Sequence, residues 1–334
     1  MQGRVTQHHR EMYKVMTNQG EISAVLKGSF YHNANNRSDF PCVGDYVQLQ
    51  YNPTGDSPIT QLLPRKSKFS RADFSGHGAG YVKTIKEQVV AANFDYVFIL
   101  SSLNADFRVS RIIRYITQAR QSGGQPVVIL TKADLAEDSY VSVMETQMAA
   151  PDVPVHDVSS YTGQGLDALN QYLKPGKTIV FLGMSGVGKS SLLNALIDAE
   201  VMAVSAIRED DARGRHTTTH RQLFTLPGGA MVIDTPGMRE LGLFGAEEGI
   251  SQSFQDIEEL FTQCRFSDCV HKTEPDCAVR SAIQNGSLPQ ERWERYQAQV
   301  RENRFVDDKA AFMQERKEQY KSMTKAYKAG NKKR

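Results

Sequence analysis

Over residues 1–65, apolar and polar side chains alternate with the period of a strand. In EISAVLK, Ile22, Ala24 and Leu26 alternate with Ser23, Val25 and Lys27. In YVQLQY, Val47, Leu49 and Tyr51 alternate with Gln48 and Gln50. Gly28, Gly44-Asp45 and NPTGD (52–56) supply turns between such runs. Short alternating strands closed by turns predict a small β domain and suit a small barrel. Residues 66–88 lose the alternation and are polar and glycine-rich, which predicts a linker. Its SGHGAG stretch (75–80) lacks the following helix and the spacing of a phosphate loop. Arg65, Lys66, Lys68 and Arg71 make this segment basic, as a solvated linker or an RNA-facing hinge.

From 89 to 245 the pattern is that of an α/β unit. YVFILSS (96–102), PVVILT (126–131), TIVFLG (178–183) and AMVIDTPG (230–237) are compact apolar runs, as in strands buried on both faces. RIIRYITQAR (111–120) has helical spacing between the first two. Strands alternating with helices predict a parallel sheet with ligands at the carboxyl ends of its strands. After 246 the chain reads as mostly helical and polar. No internal repeat is visible.

Composition narrows the class. The 334 residues are 40% hydrophobic and 23% charged, which suits a soluble chain of two or three domains. A net charge of +2 confines any nucleic-acid contact to local patches. MQGRVTQHHREMYK has no apolar leader segment, and no apolar run approaches a membrane span, so a cytoplasmic protein without membrane contact is expected. Of four cysteines, three fall within 264–277, a spacing that points to metal in a reduced compartment. Cys42 stands alone and reads as a free thiol.

GMSGVGKS, Gly183 to Ser190, fits G-x-x-x-x-G-K-[ST]. A strand precedes it and the helical SLLNALID follows, the context that a phosphate-binding loop requires. Gly183, Met184, Ser185, Gly186, Val187 and Gly188 would turn backbone N–H groups on phosphate oxygens, and the helix dipole would add positive field. Lys189 would reach the β- and γ-phosphates, and Ser190 would ligate Mg²⁺, with Ser191 beside it. Asp234, ending the strand of VIDTPG, matches a Mg²⁺-holding carboxylate, and the Gly237 N–H would meet the γ-phosphate. RGRHTTTH (213–220) reads as a polar loop ordered by nucleotide, in which Thr217, Thr218 and Thr219 are the Mg²⁺ candidates and Thr218 is favoured. After D-x-x-G, Met238 occupies the place where a glutamine often orients water. His216 is the best replacement, with a structural histidine as the alternative.

Upstream of these motifs lies TKAD. Asp134 would accept from guanine N1 and N2, the Lys132 stem would cover the base, and Thr131 would make a local hydrogen bond. VSSYTGQGL (158–166) would back the base, with Ser159 and Ser160 in place. A base reader ahead of the phosphate loop predicts a circularly permuted GTPase domain. Permutation is tolerated where domain termini lie near each other.

CRFSDCVHKTEPDC holds Cys264, Cys269, His271 and Cys277. Three thiolates and one imidazole form a closed tetrahedral set for one structural Zn²⁺. At the chain end, Lys317, Lys321, Lys325, Lys328 and Lys332 fall at helical spacing. Only Glu318 offsets eight basic residues from Arg316 onward. Either a solvated face or contact with RNA phosphates would use such a tail, and RNA contact is favoured.

Taken in order, TKADL, GMSGVGKSSLLN, GRHTTTH, DTPGMREL and the cysteine cluster closely resemble the ribosome small-subunit-dependent GTPase A family, RsgA or YjeQ, over almost the whole chain. The resemblance implies an OB-fold over 1–65, a linker over 66–88, a circularly permuted P-loop GTPase domain over 89–245 and a helical zinc domain over 246–334. It also implies GTP hydrolysis to GDP and phosphate, stimulated by the small ribosomal subunit late in that subunit's maturation. His216 would be catalytic with Lys189, and Ser190, Thr218 and Asp234 would hold Mg²⁺. Partners would be the small subunit, its rRNA and GTP or GDP, with the protein a monomer. Two other classes fit parts of the pattern: a nucleic-acid-dependent P-loop ATPase, which TKAD opposes, and a non-hydrolysing rRNA-binding module, which Lys189, Ser190, Asp234 and His216 oppose.

Overall fold

The computed structural model describes residues 1–9, 11–34, 37–73, 86–104, 106–197, 221–234 and 245–303. Strands β1 (Gln2–His9), β2 (Met12–Thr17), β3 (Gly20–Leu26), β4 (Tyr46–Leu49) and β5 (Ser57–Leu62) pair in the order β1-β2-β3-β5-β4, and β4 pairs back on β1. That closure makes a five-stranded barrel, which abolishes the free edges that an open sheet of this size would expose. Its core holds Val5, Tyr13, Val15, Ala24, Leu26, Val47, Leu49 and Ile59. The alternation read at Ala24, Leu26, Val47 and Leu49 is therefore a barrel interior. Tyr51 lies past the end of β4 and is exposed.

The expected linker at 66–88 begins and ends in strand. Here β6 (Lys68–Asp73) pairs antiparallel with β7 (Lys86–Ala92). Phe69 is buried and stacks on Phe94, ring centroids 5.0 Å apart. A six-residue run with a single large apolar residue is too sparse to announce a strand, but that residue reaches the main core and fixes the ribbon. SGHGAG lies outside the described residues.

Six strands build the α/β unit: β8 (Tyr96–Ser102), β9 (Gln125–Thr131), β10 (Val155–Val158), β11 (Thr178–Leu182), β12 (Gln222–Thr225) and β13 (Met231–Asp234). They run β10-β9-β8-β11-β13-β12, parallel except for β12. Both faces are covered, so alternate residues feed two cores. Val97 and Ile99 join one, while Phe98 and Leu100 join the other. Helix α1 (Gly28–Asn33) belongs to the barrel. Helix α2 (Val109–Gln121) buries Ile112, Ile116 and Ala119, one helical stripe, on the first core. Helices α3 (Tyr140–Ala149) and α4 (Lys189–Ile197) follow β9 and β11. β8 and β11 are neighbours although the chain leaves β8 for β9, so the sheet's switch point falls between them, where open α/β sheets bind ligands.

Helices α5 (Glu247–Ser253), α6 (Gln255–Phe261) and α7 (Ala278–Gln284) complete the carboxyl-terminal region, and residues 290–303 are also helical. α5 packs on α2 at Gly249, where a Cβ would stand 2.4 Å from the Thr117 carbonyl oxygen. No helix among the described residues is long and apolar enough to cross a membrane.

The barrel and the α/β sheet are one hydrogen-bonded surface. β1 pairs with β4 over Gln2–Arg4, shifts register between Val5 and Gln7, and meets β12 at Gln7↔Gln222. Arg4 crosses that seam inside the protein, 7% exposed. Its Nη1 donates to Thr178 Oγ1 at 2.9 Å, its Nη2 to Asn93 O at 2.8 Å and its Nε to Gly44 O at 3.2 Å. Burial pulls the guanidinium pKa down, against Tyr46, Asp95 and Asp45, which raise it. Replacing Arg4 by Ala strands buried acceptors on both sides of the seam. It should lower unfolding free energy by roughly 3 kcal/mol in urea titration. Arg295→Ala, which loses only an exposed pair with Glu291, should change it by under about 0.5 kcal/mol.

Candidate nucleotide site and metal centre

Every described residue of the expected nucleotide site sits at the carboxyl end of a parallel strand. β9 ends at Thr131, β10 at Val158, β11 at Leu182 and β13 at Asp234. The alignments Val158↔Thr131 and Ser102↔Thr131 set the three strand ends level. Loops far apart in the chain therefore open on one side of the sheet.

The phosphate-type loop is built on glycine. A Cβ at Gly183 would stand 2.6 Å from the Leu100 carbonyl oxygen, so the chain can leave β11 beside β8 only without a side chain. Gly186 and Gly188 have φ of 79° and 94°, a region costly for other residues. α4 begins at Lys189, and Leu192 N donates to Gly188 O at 2.8 Å. Lys189 Nζ donates to the carbonyls of Gly183 (2.8 Å) and Met184 (2.6 Å), which places the ammonium inside the loop. Val187 is buried, while Ser185, Ser190 and Ser191 are partly exposed at the loop mouth.

The TKAD loop touches this loop directly. Thr131 is buried, and its hydroxyl donates to Val187 O at 2.6 Å. Lys132 turns left-handed at φ 62°, and Asp134 is exposed beyond it. The short threonine thus reaches the neighbouring loop from inside, across 56 residues of chain. In the adjoining loop, Ser159 is fully buried, and its Oγ accepts from Tyr161 N (3.2 Å) and Thr162 N (3.1 Å). Ser159 shapes that loop from within, while Ser160 is partly exposed. Asp234 is buried and aligns with Gln222. His216, Thr217, Thr218, Thr219, Gly237 and Met238 lie outside the described residues.

Cys264, Cys269, His271 and Cys277 converge, with one ligand atom from each all within 4.8 Å of one another. Cys264 Sγ lies 4.0 Å from Cys277 Sγ and 3.6 Å from His271 Nδ1, and Cys277 Sγ lies 3.5 Å from that nitrogen. Tetrahedral Zn²⁺ at ordinary bond lengths needs about 3.8 Å between sulfurs and about 3.5 Å between sulfur and nitrogen. The four residues fit one zinc ion. Burial raises the Cys264 thiol pKa, but N–H groups of Ala278 and Val279 at the start of α7 outweigh it and bring the pKa down. His271 stacks on Phe261, centroids 4.4 Å apart, with Trp293 edge-on at 5.7 Å. Glu274 was not singled out in the sequence, although it lies between the histidine and the last cysteine. It accepts from the N–H groups of Lys272 (2.8 Å), Thr273 (3.0 Å) and Val270 (3.3 Å). Backbone N–H groups, first those of Glu274 itself and Lys272, hold its carboxyl down to about 2.

With the geometry in view, known proteins can be compared. The sequence model of the RsgA GTPase family matches residues 62–244. The chain belongs to the RsgA GTPase family. It is 42% identical over 327 residues to the small ribosomal subunit biogenesis GTPase RsgA 1 of Listeria innocua, covering 97% of this chain and 90% of that one. The crystal structure of YjeQ from Thermotoga maritima superposes with a TM-score of 0.65 at 30% identity, covering 88% of this chain and 95% of that one. YloQ, described as a circularly permuted GTPase, shares the fold with a TM-score of 0.61 at 24% identity, over 88% of this chain and 92% of that one. An RsgA-family GTPase works with Mg²⁺ and GTP, and the barrel, the permuted sheet and the Cys₃His set are its three parts in this chain.

Thr131→Val keeps the shape and removes the hydroxyl that ties the two loops. GTP affinity should fall about five- to tenfold by calorimetry, with the fold unchanged by circular dichroism. Atomic emission should find one zinc per chain. Cys277→Ser should lose most of that zinc while GTP affinity stays within about twofold.

Proposed function

We propose that this chain hydrolyses GTP as an assembly factor for the small ribosomal subunit and that the subunit itself raises the rate. The observation that supports the reading is the Thr131–Val187 hydrogen bond, which joins the TKAD loop to the glycine-rich loop before α4. Family membership and the biogenesis role named for the Listeria innocua relative support the choice of subunit.

In this reading Gly183 to Ser191 wrap the phosphates, and Asp134, Lys132, Thr131, Ser159 and Ser160 surround the base. Lys189 gives up its loop carbonyls for the β- and γ-phosphates. Ser190, Asp234 and Thr218 would hold Mg²⁺, which would supply positive charge to the phosphate oxygens. His216 orients the water whose oxygen attacks the γ-phosphorus, and the bond to the β–γ bridging oxygen breaks to leave GDP. Contact with the subunit brings His216 into place, and loss of the γ-phosphate releases the protein. The basic residues from Arg316 onward contact rRNA phosphates, and the protein acts as a monomer. An adenine-using P-loop enzyme is disfavoured because the exposed Asp134 carboxylate presents acceptors where guanine carries donors.

Phosphate release from GTP and from ATP, each with and without purified small subunits, tests the reading. GTP turnover should be slow alone and rise at least about tenfold with subunits, and His216→Ala should lose that rise while binding GTP normally. Equal use of ATP, or no response to subunits, would overturn it.

A further inference from the structure

Eleven large apolar side chains stand exposed among the described residues, and five of them fall between 135 and 148. They are Leu135, Tyr140, Val141, Met144 and Met148, exposed by 71, 66, 56, 36 and 77%. At 100° per residue, the four on α3 lie within one stripe about 100° wide. The other side of the helix is already used: Thr146 and Ala149 are buried, and α3 packs on α2 and β10. Single exposed apolar residues need no explanation, but a stripe that turns outward on a helix already packed on its other side marks an interaction surface. Methionine suits such a surface, because its flexible thioether adapts to a partner.

Charge identifies the partner's chemistry. From Asp134 to Asp152 the chain carries Asp134, Glu137, Asp138, Glu145 and Asp152 and no Lys, Arg or His. Asp152 is paired with Arg120, and Asp134 belongs to the base-reading loop. Glu137, Asp138 and Glu145 are exposed around the stripe. An apolar face with an acidic rim repels nucleic-acid phosphates and attracts a cationic protein. We propose that the outward face of α3 docks a lysine- and arginine-rich protein segment that also presents apolar side chains. The choice of probe rests on the ribosomal reading: this segment belongs to a protein of the small subunit.

The test uses the full chain and purified small subunits. A benzophenone photocrosslinker placed at Met148 should label a ribosomal protein, and excess unaltered chain should suppress the label. A Met144→Ser/Met148→Ser chain should melt like the unaltered one and hydrolyse GTP alone at the same rate, yet bind subunits at least about tenfold more weakly in sedimentation. Glu145→Lys should weaken binding in the same direction, most strongly at low salt. A label on rRNA, a label on a second copy, no label, or serine variants that bind as the unaltered chain does would each overturn the docking surface. Subunit-stimulated GTP turnover of the unaltered chain separates the two readings. If turnover responds to subunits while the serine variants bind normally, the docking surface alone fails. If the unaltered chain neither binds nor responds, both fail.

Discussion

Arg4 is the residue on which the arrangement of the two β units depends. An arginine can be buried at a seam only if its donors are met, and here acceptors from four segments meet them: Gly44 after the barrel turn, Asn93 before β8, Thr178 at the start of β11 and, through a 3.1 Å contact, the sulfur of Met231 in β13. Asp45, beside Gly44, is fully buried and is held by a two-pronged pair with Arg65, at 2.8 and 2.7 Å. The backbone must also pass very close. At Gly44, with φ 93°, a Cβ would lie 2.1 Å from the Ala92 carbonyl oxygen. A guanidinium with met donors, a paired carboxylate and a glycine contact leave little freedom at this junction. The barrel is a rigid extension of the sheet, not a bead on a string.

That rigidity bears on permutation. β1 lies in the barrel, yet it pairs with β12, which follows the phosphate-type loop by about thirty residues of chain. The row Asp234↔Gln222↔Gln7 places the Asp234 carboxylate two strand pairings from the barrel. In a sheet, what a loop can reach depends on which strand end it leaves, not on its order in the chain. Moving the base reader ahead of the phosphate loop therefore alters no distance within the site. Outside the site, the barrel strand β1 lies on the edge made by β12.

Legibility in the sequence followed the chemistry of each residue. The phosphate loop, TKAD and the Cys₃His set were readable because they need particular residue types at fixed spacing: glycine for a curled backbone, a carboxylate for guanine, thiolates for zinc. The parallel strands were readable because burial on both faces leaves unbroken apolar runs. Arg4 was not, since in sequence a buried arginine looks like any surface cation and its partners are up to 227 residues away. The β6–β7 ribbon was hidden because one phenylalanine does the packing. The α3 stripe was hidden for the opposite reason. Apolar residues at helical spacing ordinarily signal a buried face, and only the structure shows that these point outward.

The carboxyl-terminal region shows how a polar segment can still be well placed. Between Cys264 and Cys277 most side chains are exposed, so burial alone cannot order that loop. Two separate devices act on it. Zinc ligation and the Glu274 carboxylate organise the loop locally. Phe254, Ile257, Val279 and Trp293 belong to the same apolar core as Ile112, Ile116 and Phe94 of the α/β unit. Arg292 reinforces the attachment by donating to the carbonyls of Ala149 and Ser253, both at 3.1 Å. The attachment is apolar and the loop carries the zinc-ligand set, so the two need not fail together. Without zinc the loop would lose its ligand set, while α5 would stay on α2 through the close contact at Gly249. The metal therefore shapes the surface that the region presents, and the shared core fixes where that surface stands relative to the nucleotide loops.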